Sequence, residues 1–150
     1  MTAKGIHIVD QMIWLCGPVD SVYALSDRRT GLYAPLDDTT SLALHFKSGV
    51  TGALSSIYAT AEFWRLHAFG SKAWAQVTGE STLTVCEAGG KPYTREFADI
   101  DTARAALEGF ADAVTAGEPY AVPPEDAIAS SAVLEAMARS ADAGAPVRIA

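Results

Sequence analysis

Hydrophobic residues change their spacing three times along the chain, and each change marks an element. In "GIHIVDQMIWLCGPVDSV", residues 5–22, Ile6, Val9, Ile13 and Cys16 recur three or four apart and form one stripe, while His7, Asp10, Gln11 and Trp14 form a second. That is the spacing of a helix with two unlike faces. Gly17 suits the left-handed residue that closes a helix and Pro18 prevents its resumption, so the helix is predicted to end near residue 16. "VDSVYALSD" has strand composition, and "SDRRTGLYAPLDD" is the longest loop. In "TTSLALHFKSGVTGALSSIYATA" the period falls to two on either side of Ser48-Gly49, which reads as a hairpin. Leu42, Leu44 and Phe46 alternate with Ser41, Ala43, His45 and Lys47. Val50, Leu54 and Tyr58 then oppose Thr51, Ala53, Ser55, Ile57 and Ala59. One face is apolar and the other small and nearly neutral. An ordinary solvated face carries more charge, so this one is expected to be covered by a partner, another domain, a ligand or a helix of the same chain.

"FWRLHAFGSKAWAQVTG" and "STLTVCEAGGKPYTREF" continue as strands, with turns at Gly70-Ser71, Gly79-Glu80 and Gly89-Gly90. From Asp101 the period becomes helical through Leu107, Phe110, Ala111 and Val114, and Gly117 with Pro119 supplies the stop. "PPEDA" opens another helix, with proline in its first turn and acids near the positive end of its dipole. Gly144-Ala145-Pro146 closes it before a short strand, "VRI". Helix, several strands, two helices and a strand predict an α+β fold, a mainly antiparallel open sheet with helices packed on one face. No repeat or linker divides residues 1–150, which read as a single domain.

Composition narrows the function more than it defines it. Forty-nine per cent hydrophobic residues over 150 positions are enough for a packed core. A net charge of −7, with scattered basic residues, argues against nucleic acid. No apolar run approaches the roughly 20 residues of a membrane span, and no secretory leader is evident, so no membrane partner and a cytoplasmic location are expected. Cys16 and Cys86 match no metal or redox spacing and are expected to be buried free thiols. His7, His45 and His67 show no metal-ligand spacing, so no metal is expected.

The 12 glycines nowhere form GxGxxG or a phosphate loop, and there is no GxSxG elbow. No cofactor-binding residue is therefore assigned. What remains is His7 with Asp10: an imidazole that titrates near neutrality and moves protons, and a carboxylate one turn along that orients a polyol or the ring itself. The spacing alone is equally that of the wet edge of an amphipathic helix.

The order of these stretches resembles the C-terminal domain of the Gfo/Idh/MocA oxidoreductases, the family of glucose-fructose oxidoreductase and inositol dehydrogenase. The resemblance rests on "GIHIVDQMIWLCGPVDSV", similar to that family's G-x-H-x-x-D-x-x-x-x-L-x-G-x-V helix and strand, on "DDTTSLALHFKSGVTGALSS", on "HAFGSKAWAQV", and on "FADAVTAGEPYAVPPEDAIASSAVLEAMARSADAGAPVRI". It covers nearly the whole chain.

The resemblance implies a two-domain enzyme whose N-terminal Rossmann domain, absent from this sequence, binds NAD or NADP and carries a catalytic lysine. This domain would supply substrate contacts and the oligomer interface. His7 matches the family's catalytic histidine and Asp10 a position that often contacts substrate. Tyr58, Trp64, Arg65 and His67 lie on or near strands of the substrate side, where Arg65 suits a carboxylate and Trp64 a sugar ring. Each is also compatible with an ordinary core aromatic or surface arginine. Among Lys4, Lys47, Lys72 and Lys91 none has the family's E-K-P context, and Ala3 stands where the family commonly has an aspartate.

The expected function is therefore the substrate half of an NAD(P)-dependent oxidoreductase acting on a secondary alcohol of a sugar or cyclitol. The chain alone is expected to bind no nucleotide tightly and to be inactive. Association as a homodimer or tetramer through the small sheet face is expected. Two alternatives stand beside this reading: a stand-alone dimerisation or ligand-binding module, and a cofactor-independent isomerase or dehydratase using His7 and Asp10.

Overall fold

The computed structural model describes residues 5–117 and 119–149, so the expectations attached to Ala3 and Lys4 lie outside the described residues. The chain runs α1 (Gly5–Cys16), β1 (Val19–Asp27), β2 (Thr39–Phe46), β3 (Thr51–Ile57), β4 (Arg65–Phe69), β5 (Ala73–Thr78), β6 (Thr82–Glu87), β7 (Tyr93–Glu96), α2 (Thr102–Ala116), α3 (Pro124–Ala143) and β8 (Val147–Arg148). This is the α+β order that the periodicities predict. The strands divide, however, into two antiparallel sheets of four, ordered β3-β2-β1-β8 and β4-β5-β6-β7. Each belongs to its own compact unit, the first formed by residues up to Thr60 together with those from Ala121 onward, the second by Ala61–Tyr120.

In the first unit the alternation of β2 translates directly into a dry side. Leu42, Leu44 and Phe46 are buried with Val22 and Ala24 of β1 and Leu54 of β3, against Val9, Met12 and Ile13 of α1 and Val133, Ala136 and Met137 of α3. The register places Ala24 beside Leu42 and Leu42 beside Leu54, so the apolar residues form rows across the sheet. Gly52 leaves room for the Met12 methyl, which a Cβ there would meet. Gly17 closes α1 at φ +84°, its N–H donating to the Ile13 carbonyl, and the Ser48 hydroxyl of the hairpin donates to the Cys16 carbonyl at 2.7 Å.

The sheet's short fourth strand has a consequence at β1. β8 pairs only with Ser21 and Val22, which leaves the Ala24 N–H beyond its reach. Ser140 of α3, fully buried, accepts that N–H at 2.9 Å and donates to the Ala145 carbonyl at 2.7 Å. The opposite face of the sheet exposes Tyr23, Leu25, Ser41, Ala43, Ala53, Ser55 and Ile57. α1 and α3 pack on the other side, so among the described residues no helix of this unit covers the small face.

The second unit is a meander of hairpins in which β5 and β6 are half-buried and β7 is exposed. Its helix, α2, starts where Asp101 accepts the Arg104 N–H at 3.0 Å and ends at Gly117 with φ +70°. Leu107, Phe110 and Val114, whose spacing marks this helix, are exposed, and Phe110 meets Tyr120 edge-on at 6.0 Å. Both cysteines are free, as expected, but half-buried where buried thiols are predicted. Cys86 lies on a hairpin strand whose Sγ reaches the carbonyls of Glu87 and Gly90, a position too close to the surface to be enclosed.

Candidate functional site

The polar stripe of α1 exists as spaced. Val9 and Ile13 turn into the core, which rotates His7 outward into solvent and leaves Asp10 half-buried at the rim. The carboxylate of Asp10 accepts the Ser130 hydroxyl of α3 at 3.0 Å. That bond fixes one oxygen of Asp10, while His7 has no hydrogen-bond partner among the described residues. A free imidazole beside an oriented carboxylate is suited to moving a proton to or from a bound hydroxyl.

Tyr58 follows β3 in the same unit, and its placement depends on Asp38. The Asp38 N–H donates to the Asp27 carbonyl at the end of β1, and the Asp38 carbonyl accepts the Tyr58 N–H at 2.8 Å. The side chain reaches back over the loop between β1 and β2. It accepts the Thr30 hydroxyl at 2.6 Å, the Thr30 N–H at 2.8 Å, the Arg29 N–H at 2.9 Å and the Thr39 hydroxyl at 3.1 Å. The Thr30 hydroxyl and the Arg29 and Thr30 amides hold this carboxyl well below the usual carboxylate range, against the opposing effect of burial. Within the loop, Tyr33 packs edge-on against Tyr58, with ring centroids 4.6 Å apart and planes at 88°.

Trp64 and Arg65 belong to the second unit. Trp64 is half-buried, its carbonyl accepting the Gly79 N–H, and the Arg65 guanidinium lies 5.7 Å from the centre of the Phe63 ring. His67 stacks on Phe69 at 3.9 Å and meets Trp74 edge-on, its Nε2 buried without a partner among the described residues. The residues singled out from the sequence therefore fall into two groups, His7, Asp10 and Tyr58 in one unit and Trp64, Arg65 and His67 in the other. Asp38, Tyr33 and Ser130 were not singled out. For Asp38 a signal was available: aspartate side chains readily accept nearby backbone N–H groups in turns, and "DDTT" follows a turn-rich loop. For Tyr33 and Ser130 there was none, since their partners are distant in sequence.

Among the described residues no three acidic, histidine or cysteine side chains cluster as a metal site, and no helix is long and apolar enough to cross a membrane. The chain matches, over residues 1–149, the family model described as the C-terminal alpha/beta domain of an oxidoreductase family, Gfo/Idh/MocA. No curated protein matches it. Among solved structures it is similar to the aldose-aldose oxidoreductase from Caulobacter crescentus complexed with glycerol, at TM-score 0.83 and 24% identity over 96% of this chain and 45% of that one. It is also similar to a levoglucosan dehydrogenase in complex with NADH, at TM-score 0.86 and 14% identity, covering 99% and 49%. A third, the UDP-N-acetylglucosamine 3-dehydrogenase from Acidithiobacillus ferrooxidans, aligns at TM-score 0.82 and 20% identity, covering 92% and 46%. The chain thus spans about half the length of the structures it matches.

Proposed function

The chain belongs to the Gfo/Idh/MocA oxidoreductase family as its C-terminal α/β domain, and from that premise we propose that it is the substrate-binding half of an NAD(P)-dependent oxidoreductase. The substrate would be a secondary alcohol of a sugar or cyclitol. The observation that carries this reading is the family match over residues 1–149 in a chain about half as long as the similar structures, whose names include an aldose oxidoreductase and two sugar dehydrogenases. Those similarities are below 25% identity and support the substrate class only through the family.

The backbone of the described residues supports assigning no dinucleotide to this chain. Every ladder among the described residues is antiparallel. Left-handed glycines such as Gly17, Gly49 and Gly89 sit at helix ends and turns, so among the described residues no strand–glycine loop–helix cradle offers N–H groups to a pyrophosphate. NAD or NADP belongs, in this proposal, to an N-terminal Rossmann domain, and the isolated chain neither binds it tightly nor catalyses. His7 takes the substrate hydroxyl proton, Asp10 orients a neighbouring hydroxyl while Ser130 holds it, and Tyr58 of the same unit contacts the rest of the substrate. The exposed face bearing Tyr23, Leu25, Ala43, Ala53 and Ile57 forms a homodimer or tetramer contact, where roughly 800 Å² per partner would be buried in a standard interface. We place the protein in the cytoplasm.

The test is hydride transfer by the protein carrying its N-terminal domain, followed as reduced nicotinamide over a panel of sugars and cyclitols. His7→Ala should lower kcat by about 10²–10⁴. Turnover that needs no nicotinamide yet disappears in His7→Ala would replace this reading with an isomerase or dehydratase. A monomer by light scattering at high concentration would remove the proposed contact.

A further inference from the structure

Asp38 joins three segments through one residue. Its N–H is tied to β1, its carbonyl to Tyr58, and its carboxylate to Arg29 and Thr30 at the start of the loop that carries Tyr33. A carboxylate only 2% exposed, in the loop that joins the ends of the two inner strands, is costly unless every donor is in place. Here four donors meet it, and they fix a segment that would otherwise sample many conformations. What the fixed loop presents is an aromatic ring. Tyr33 and Tyr58 are 42% and 46% exposed, so the pair at 88° forms an open corner rather than a piece of core.

We propose that Tyr33 is a specificity-determining residue of the substrate site, completing with Tyr58 an aromatic corner that receives the C–H face of a polyol ring, and that Asp38 is the positioning residue that holds Tyr33 there. The inference rests on the reading that Tyr58 touches substrate, and it adds the second wall. Two rigid rings at right angles give a cyclic ligand apolar area on one face and phenol hydroxyls at its rim, at little cost in side-chain entropy. Because the Tyr58 amide and the Tyr33 loop are held by the same residue, the corner is set before a ligand arrives.

The test is a titration of the isotopically labelled chain with D-glucose and with myo-inositol, following the ring protons of Tyr33 and Tyr58 by NMR. Both rings should shift along one binding curve. Tyr33→Ala should raise Kd about three- to tenfold with the thermal midpoint unchanged, and Tyr33→Phe should restore binding. Asp38→Asn should weaken the probe similarly and remove the cross-relaxation between the two rings. If that variant does not fold, Thr30→Val, which deletes one clamp hydroxyl and leaves Asp38, should show the same two losses in smaller measure. A shift at Tyr58 with the same Kd in Tyr33→Ala overturns the inference, as does the absence of any shift at Tyr33. The reading beneath it fails separately, if the protein with its N-terminal domain transfers hydride from no sugar or cyclitol.

Discussion

The two sheets have four strands each and are antiparallel throughout, yet only one of them has a dry side. In the first unit α1 and α3 close over alternate residues of β1, β2 and β3, and every fully buried hydrophobic residue among those described lies there. In the second the strands hold one another by ladders and cross-strand pairs such as the Thr84 and Thr94 hydroxyls, 3.1 Å apart, and no described residue is fully buried. The first is thus stabilised chiefly by packing and the second chiefly by pairing. His7, Asp10, Tyr58 and the Asp38 clamp are all mounted on the packed unit. Side chains that must hold a geometry are best placed on elements whose own positions are locked.

The largest effect expected from this contrast comes from truncating a buried ring. Phe46→Ala should cost about 3–5 kcal/mol in urea unfolding, through lost burial and the cavity left between the sheet and its helices. Val85→Ala, at the half-buried centre of β6, should cost about 1 kcal/mol. Equal losses would mean that the second unit is packed as tightly as the first and that the contrast is wrong.

The clamp should show itself in acid. The carboxyl of Asp38 is held below its unfolded value, so its contribution is fully present above the ordinary carboxylate range and is lost as pH falls through and below that range. The wild-type chain should therefore lose stability on acidification over an interval in which Asp38→Asn, already weakened at neutral pH, changes less. Parallel pH profiles for the two proteins would show that the hydrogen bonds to Asp38 contribute nothing specific to its charged form.

A smaller loss is expected at the edge of β1. Ser140→Ala leaves the Ala24 N–H and the Ala145 carbonyl without their shared partner, at a cost of about 1–3 kcal/mol. Ser140→Thr keeps the hydroxyl and should recover part of it if the extra methyl is accommodated. Hydrogen exchange at Ala24 gives the direct readout: protection lost in the alanine variant and unchanged at Leu42 would place the effect at the sheet edge.

What was legible in the sequence follows the range over which each signal acts. Helix and strand identities depend on spacing within a few residues, and Gly17, Ser48-Gly49, Gly117 and Gly144 punctuate them, so element order was readable throughout. The outward turn of His7 was readable for the same reason, from the apolar positions on the other side of its helix. Which strands share a sheet is decided by pairing and burial between segments, and the alternation of β5 resembles that of β2 although their surroundings differ. The same limit applies to the site. Asp10 meets Ser130 across 120 positions and Tyr33 meets Tyr58 across a hairpin, and neither contact leaves a trace in local spacing.

The smallest predicted effect is the sharpest test of how well the dry side is packed. Gly52 is not in a left-handed conformation, so its glycine is explained by space alone: an added Cβ meets the Met12 methyl and comes within 3.3 Å of the Phe46 ring. The methyl is the far end of a flexible side chain and can swing away, whereas the ring is enclosed and cannot. Gly52→Ala should therefore cost about 1 kcal/mol or less, partly offset by reduced freedom of the unfolded chain. Pairing it with Met12→Ala removes the obstacle, so the two substitutions should be less destabilising together than the sum of each alone. Strict additivity in that double-mutant cycle would mean that the Phe46 ring, and not Met12, is what limits the space above Gly52.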